Sequence, residues 1–434
     1  RRLGVPFDPE PGLEGGHCRR RIHHVGGADT GAAIVEVLTR TVADDPASTP
    51  EQRNLARAIV ISADGVRLLM ERYAAEAERQ AAEEADPTRR AELEEIARIA
   101  GKVPWLPPET FSEALQALWT THMLVMAAES YPGPGVSPGR VDQYLYPYYQ
   151  ADLEAGRLTR EQAEEWLQCW WIKHNYAYDY QGWTGTNQGI NASFGQLITL
   201  AGMDAEGHDA SNDLTYLMLD VIEEINLLEP KPNVRIHAKT PDRLLERLVE
   251  MLAGAQGSPF LINFDEASIE GLRWEGLPED VLWDYAPVGC LENTLQGCDR
   301  SGTVDVNLNL AKAVELALND GRDMATGKQI GLKTGDPRTF TSYEQFYEAF
   351  KTQLNHLVEW IIRVNNIADE GRATWEPCAY LSALVDGCLE SGRDSAAGGA
   401  RYNFLTVEGV ALATAADSLA AVKKLVYEDG QIEM

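Results

Sequence analysis

The sequence is short of positive charge. Lys and Arg number 38 against 67 Asp and Glu, a formal net charge of −29 at pH 7. That balance disfavours nucleic acid and anionic membrane as partners. An anionic substrate would need local positive or hydrogen-bonding groups. Long hydrophobic runs are also missing; none reaches the roughly 18 residues that span a bilayer. No signal peptide is visible. Cysteine is sparse: Cys18, Cys169, Cys290, Cys298, Cys378 and Cys388, with no C-x-x-C pair. The spacing suggests no disulfide framework and points to a reducing, cytoplasmic setting. The eight histidines are scattered, and the one close pair, His23-His24, reads as surface, so no metal site is expected. No internal repeat or low-complexity segment interrupts the chain.

What is present suits a globular protein. Hydrophobic residues make up 44% and charged residues 24% of 434, enough for a large core or more than one domain. Helical periodicity dominates the first part. Residues 51–84 read as a long helix entered through Thr49-Pro50. A second helix runs through Leu93 and Ile99, a third over 111–126, and two more over 142–155 and 159–178. From about Asn191 the pattern changes. Strands are expected at 194–200, 233–237 and 259–264, with helices over 213–225 and 241–253 between them. Strand, helix, strand, helix predicts parallel sheet with crossover helices. A helix follows at 308–318, a polar surface excursion at 325–340, and a last helix at 417–426.

The most informative stretch is Ala286-Pro287-Val288-Gly289-Cys290-Leu291-Glu292-Asn293. It sets a thiol and a carboxylate two residues apart, after the β formers Val281, Trp283 and Tyr285. On an extended segment both side chains project to one side. A thiol supplies a hydrogen atom or a nucleophile, and a carboxylate beside it moves a proton. A bare C-x-E equally suits a buried thiol next to a solvated glutamate. The rival thiol, Cys298, lies in a polar, turn-like stretch. Arg235 and His237 alternate on one strand; they could meet a carboxylate, though structural pairing is the expectation.

The stretch continues as GCLENTLQGCDRSGTVDVNLNLAKAVELALNDG, which resembles the thiyl-radical loop of the glycyl radical enzymes. WLPPETFSEALQALWTTHMLV, SPGRVDQYLYPYYQADLEAGRLT, DASNDLTYLMLDVI, KPNVRIH and GGARYNFLTVEGVALATAADSLAAVKKLVYED resemble further blocks of that family, in its order. The likeness covers the chain from about Gly16 onward. It implies an α/β fold: a ten-stranded β/α barrel ringed by helices, with the Cys loop at its centre and residues 1–434 forming an incomplete catalytic core. It implies a transient thiyl radical on Cys290 and proton transfer by Glu292. The family's C-terminal glycyl motif does not occur here, and the chain starts at Arg1 and stops at Met434. A fragment, or one piece of a split enzyme, is therefore expected. No cofactor is expected to be bound. The glycyl radical would sit on a missing segment, installed by a radical-SAM activating enzyme. The implied partners are that activase, a small-molecule substrate, a second copy of the chain and a small subunit.

The subfamily reading rests on finer points. Pyruvate formate-lyase members use two adjacent cysteines, which this chain lacks. Dehydratase members carry a His-Ser pair where Pro134-Gly135 falls here, which argues against a glycerol- or choline-type pocket. Dehydrating relatives have Gln near the position of Glu408, in Val407-Glu408-Gly409. Arylacetate decarboxylases use a second glutamate, a role that would fall to Glu408. GCLENT followed by DRSGTVD favours that group, similar to 4-hydroxyphenylacetate decarboxylase. The alternatives are a radical dehydratase or C–N/C–S lyase acting on a small hydroxylated substrate, and a catalytically inactive core that needs a separate subunit.

Overall fold

The computed structural model describes residues 42, 46–128, 136–175, 196–256, 260–289, 291–300 and 305–434. They form two compact units: residues 1–300 with 378–402, and residues 301–377 with 403–434.

In the first unit, α1 (Pro50–Glu83) starts from a Thr49 cap whose hydroxyl accepts from Gln52 N, while Gln52 reaches back to Thr49 N. α2 (Pro87–Ala100) starts from an Asp86 cap and packs on α1. α3 (Phe111–Ala128) follows. The helix expected over 142–155 is split. A single turn, Val141–Tyr144, ends at Leu145, and α4 (Tyr146–Glu154) begins anew. Pro147 is the physical reason: it offers no N–H to continue a helix and suits a first turn. α5 spans Arg160–Asn175.

The expected parallel sheet is present. β1 (Gly139–Arg140), β2 (Leu197–Ala201), β3 (Lys231–Ile236) and β4 (Leu261–Phe264) pair in that order, all parallel. α6 (Asp213–Ile225) crosses from β2 to β3, and α7 (Asp242–Ala253) from β3 to β4. α8 (Asp265–Trp274) leaves β4 directly. The alternation of side chains gives the sheet two unlike faces. Ile198, Leu200 and Val234 join one core with Leu118, Leu167, Trp171, Leu217, Met218, Leu244 and Leu248 from the helices. Each such buried side chain contributes roughly 1.5–3 kcal/mol over exposure. The opposite face carries Arg140, Thr199, Lys231, Asn233, Arg235 and Asn263, all of them buried.

After α8 the chain forms an antiparallel hairpin. β5 (Tyr285–Val288) pairs with β6 (Glu292–Leu295), Val288 opposite Glu292 and Tyr285 opposite Leu295. The segment beyond is clamped by residues 386–402, through Tyr402 N to Cys298 O and Arg300 N to Tyr402 O, both 2.9 Å.

In the second unit, β7 (Val306–Asn309) leads into α9 (Leu310–Leu318). α10 (Tyr343–Trp375) is a 33-residue helix. β8 (Val407–Val410) pairs parallel with β7. The last helix begins earlier than the expected 417: α11 (Leu412–Ala421) runs on as a π-helical stretch, Val422–Glu428. Ala313, Val314, Ala317, Phe346, Phe350 and Ala415 make this unit's own core.

Candidate active site

The hairpin lies across the polar face of the sheet, and named hydrogen bonds hold it there. Arg235 Nη1 donates to Tyr285 O at 3.0 Å. Lys231 Nζ donates to Gly289 O at 3.3 Å. Asn263 Nδ2 donates to Asn293 Oδ1 at 3.0 Å. Along β3, Arg235 therefore meets the start of β5 and Lys231 its end, so β5 runs opposite to β3.

Position 290 falls in the turn between the two strands; Cys290 itself lies outside the described residues, as does Pro134-Gly135. The flanking backbone corrects one expectation. The chain does not stay extended from 288 to 292: Gly289 has φ +59° and Leu291 φ +128°. Leu291 N donates to Val288 O at 3.1 Å and closes the turn. A leucine at that φ costs on the order of 1–3 kcal/mol, and such strain concentrates at functional sites. Glu292 therefore follows a turn, not an extended run with period-two alternation. It is half-buried, and Leu291 N donates to its Oε2 at 3.1 Å.

Arg235 is fixed by more than the hairpin. Its Nε and Nη2 reach Asp265 Oδ1 and Oδ2 at 2.7 and 3.1 Å, and its guanidinium lies 4.0 Å from the Tyr285 ring centre. Burial opposes its charge, yet Asp265 leaves its pKa above the ordinary arginine value. Tyr285 Oη and Met203 N also donate to Asp265. Gly202, at φ +87°, makes room: a Cβ there would stand 2.6 Å from Arg235 Nε. Arg140 pairs with Asp284 at 3.2 Å and donates to Ala201 O and Met203 O. Burial, with Arg235 nearby, lowers its pKa. His237 Nε2 meets Asp209 at 3.2 Å. Arg235 and His237 accordingly serve the fold, as expected.

Between these fixed groups lie polar atoms without a hydrogen-bond partner: Thr199 Oγ1, both amide atoms of Asn233, Arg140 Nε and Gln296 Nε2. Arg140, Thr199 and Asn233 stand opposite one another on β1, β2 and β3. Asn233 lies in the KPNVRIH block, in which only Arg235 and His237 stand out as candidates, and Thr199 lies in none of the family-like blocks. The signal available in the sequence is the alternation Lys231, Asn233, Arg235 along one strand, polar where the other face is apolar.

The remaining site candidates separate. Glu408 is half-buried on β8 opposite Asn307, in the second unit, whereas Glu292 belongs to the first. Cys298 is buried, with its Sγ 3.8 Å from Leu295 O. Cys169 and Cys388 are free thiols. Among the described residues no group of three His, Cys, Asp or Glu could hold a metal, and no helix is long and apolar enough to cross a membrane.

Residues 15–434 match the pyruvate formate lyase-like family. The chain belongs to that family. It is 36% identical over 379 residues to trans-4-hydroxy-L-proline dehydratase of Clostridioides difficile, covering 87% of this chain and 48% of the relative. It is 35% identical over 408 residues to isethionate sulfite-lyase of Desulfovibrio desulfuricans, covering 92% and 49%. The structure of glycerol-bound, B12-independent glycerol dehydratase from Clostridium butyricum superposes with a TM-score of 0.85 at 31% identity, over 95% of this chain and 51% of that one. The fold is therefore the α/β fold of the glycyl radical enzymes. The chain spans about half the length of the curated relatives it matches.

Proposed function

We propose that this chain is the catalytic core of a glycyl radical lyase that eliminates water, or another leaving group, from a small hydroxylated substrate. The observation that carries this reading is the pattern of likeness: a dehydratase at 36% over 87% of the chain and a sulfite-lyase at 35% over 92%. Indoleacetate decarboxylase of Tractidigestivibacter scatoligenes matches at 32% over 82%. The comparisons favour elimination over arylacetate decarboxylation, the reading expected from GCLENT and Glu408.

In this reading the hairpin is the reacting element. Lys231 and Arg235 fix its backbone, and Asn263 holds the Asn293 side chain, before substrate arrives, so the reacting groups need little reorganisation. Cys290 takes a hydrogen atom from substrate carbon, and Glu292 transfers the proton that the departing group requires. The radical is installed on a glycyl segment by a radical-SAM activase and handed to Cys290.

The test is product analysis with the anaerobically activated holoenzyme. Isethionate, trans-4-hydroxy-L-proline, glycerol, indoleacetate and 4-hydroxyphenylacetate are supplied separately. Sulfite, a pyrroline or an aldehyde as product supports elimination. CO2 with a methylarene product, and no elimination product, restores decarboxylation.

A further inference from the structure

Thr199 and Asn233 are both 0% exposed, and none of their side-chain polar atoms has a hydrogen-bond partner. They face each other in register on β2 and β3, with strand axes roughly 4.8 Å apart. Most buried polar groups in native proteins are satisfied, so three unsatisfied atoms in one place call for an explanation. Their setting supplies one. On β3, Asn233 lies between Lys231, which binds Gly289 O, and Arg235, which binds Tyr285 O. The pair therefore sits on the face over which the hairpin passes.

We propose that Thr199 and Asn233 form a subsite for a substrate hydroxyl group. The donor and acceptor pattern selects that chemistry. Asn233 offers an N–H donor and a C=O acceptor, and Thr199 offers either. A carboxylate or sulfonate only accepts, so it would leave Asn233 Oδ1 unanswered. An alkyl group would answer neither atom. An alcohol donates to Oδ1 and accepts from Nδ2 or from the Thr199 hydroxyl. Lys231 and Arg235 are already committed to the hairpin and to Asp265, which leaves this pair to read the hydroxyl. The assignment rests on the elimination reading for the identity of the ligand as substrate; the geometry of the pair does not depend on it.

The test uses binding to the unactivated protein, so no radical is needed. Affinities are measured for trans-4-hydroxy-L-proline against L-proline, isethionate against ethanesulfonate, and glycerol against propane-1,3-diol. At least one hydroxylated probe should bind about tenfold or more tightly than its deoxy partner, because a site built for a hydroxyl leaves polar atoms unpaired with the analogue. Thr199→Val and Asn233→Leu should each erase that preference, with the deoxy probe bound as before. Without ligand, both variants should melt at the wild-type temperature or above it, since an unsatisfied buried polar group is removed. Preference intact in both variants, with lowered melting temperatures, would mean that the pair holds a structural water only and would overturn the proposal. Absence of any hydroxyl preference in the wild type would overturn it too. Failure of the elimination reading shows elsewhere: a protein that binds the hydroxylated probes as described yet releases CO2 from arylacetates keeps this subsite and loses that reaction class.

Discussion

Arg235 and Asp265 form a two-point ion pair with no exposure to solvent, 2.7 Å from Nε to Oδ1 and 3.1 Å from Nη2 to Oδ2. The pair joins β3 to α8, and through Tyr285 it seats the hairpin. Removing one member leaves the other charge buried alone. Asp265→Asn and Arg235→Leu should each destabilise the protein by about 3–5 kcal/mol. Arg235→Lys should not rescue, because an ammonium cannot make the two-point contact. Urea unfolding measures all three, and a loss below about 1 kcal/mol would show that the pair is dispensable.

Lys231 acts on the turn alone. Its hydrogen bond to Gly289 O reaches the residue just before position 290. Lys231→Met keeps the aliphatic length and removes that bond. Turnover by the activated enzyme should fall roughly tenfold or more, since small displacements of a reacting group are costly. The melting temperature should move little. Equal loss of stability and turnover would make Lys231 a structural residue only.

Much of this arrangement was legible in the sequence, and its limits are physical. Asp213–Ile225 was bounded correctly because Asn212 caps it and its apolar residues keep helical spacing. β2, β3 and β4 fell within a few residues of expectation. The turn at 289–291 was not legible: nothing in Gly289-Cys290-Leu291 announces a leucine at φ +128°. α10 went unremarked because its buried stripe, Phe346, Ala349 and Phe350, gives way to exposed Trp360, Ile362, Val364 and Ile367. Thr199 lies outside every family-like block and Asn233 within KPNVRIH, and only the sheet register brings them together. The motif singles out Glu292 through period-two alternation, which the backbone from 288 to 292 does not follow.

Acid should unfold the protein partly through His122. Its ring is fully buried, with Nε2 2.8 Å from Gln196 Oε1, and burial pushes its pKa down to about 4. Unfolded, it titrates near 6.5. Between those values the unfolded state binds the extra proton, so stability falls as pH drops through that window and levels off below it. The contribution is about 3 kcal/mol. His122→Gln still serves Gln196 but does not titrate. Urea unfolding at pH 7 and pH 4 should show the wild type losing about 3 kcal/mol more than the variant, and parallel losses would contradict the assignment.

Glu292 should matter for chemistry more than for folding. Glu292→Gln keeps the volume of the side chain and removes its proton-transfer capacity. Turnover should fall by about 10²-fold or more, with an unchanged melting temperature. A near-normal rate at normal stability would make Glu292 a bystander.

The central claim is that the hairpin delivers the reacting thiol at Cys290. Cys290→Ser and Cys298→Ser are assayed side by side in the activated enzyme under reducing conditions, with radical content followed by electron paramagnetic resonance. The account predicts a normal glycyl radical signal in both, no turnover by Cys290→Ser, and retained turnover by Cys298→Ser. Turnover by Cys290→Ser at the wild-type rate would contradict it.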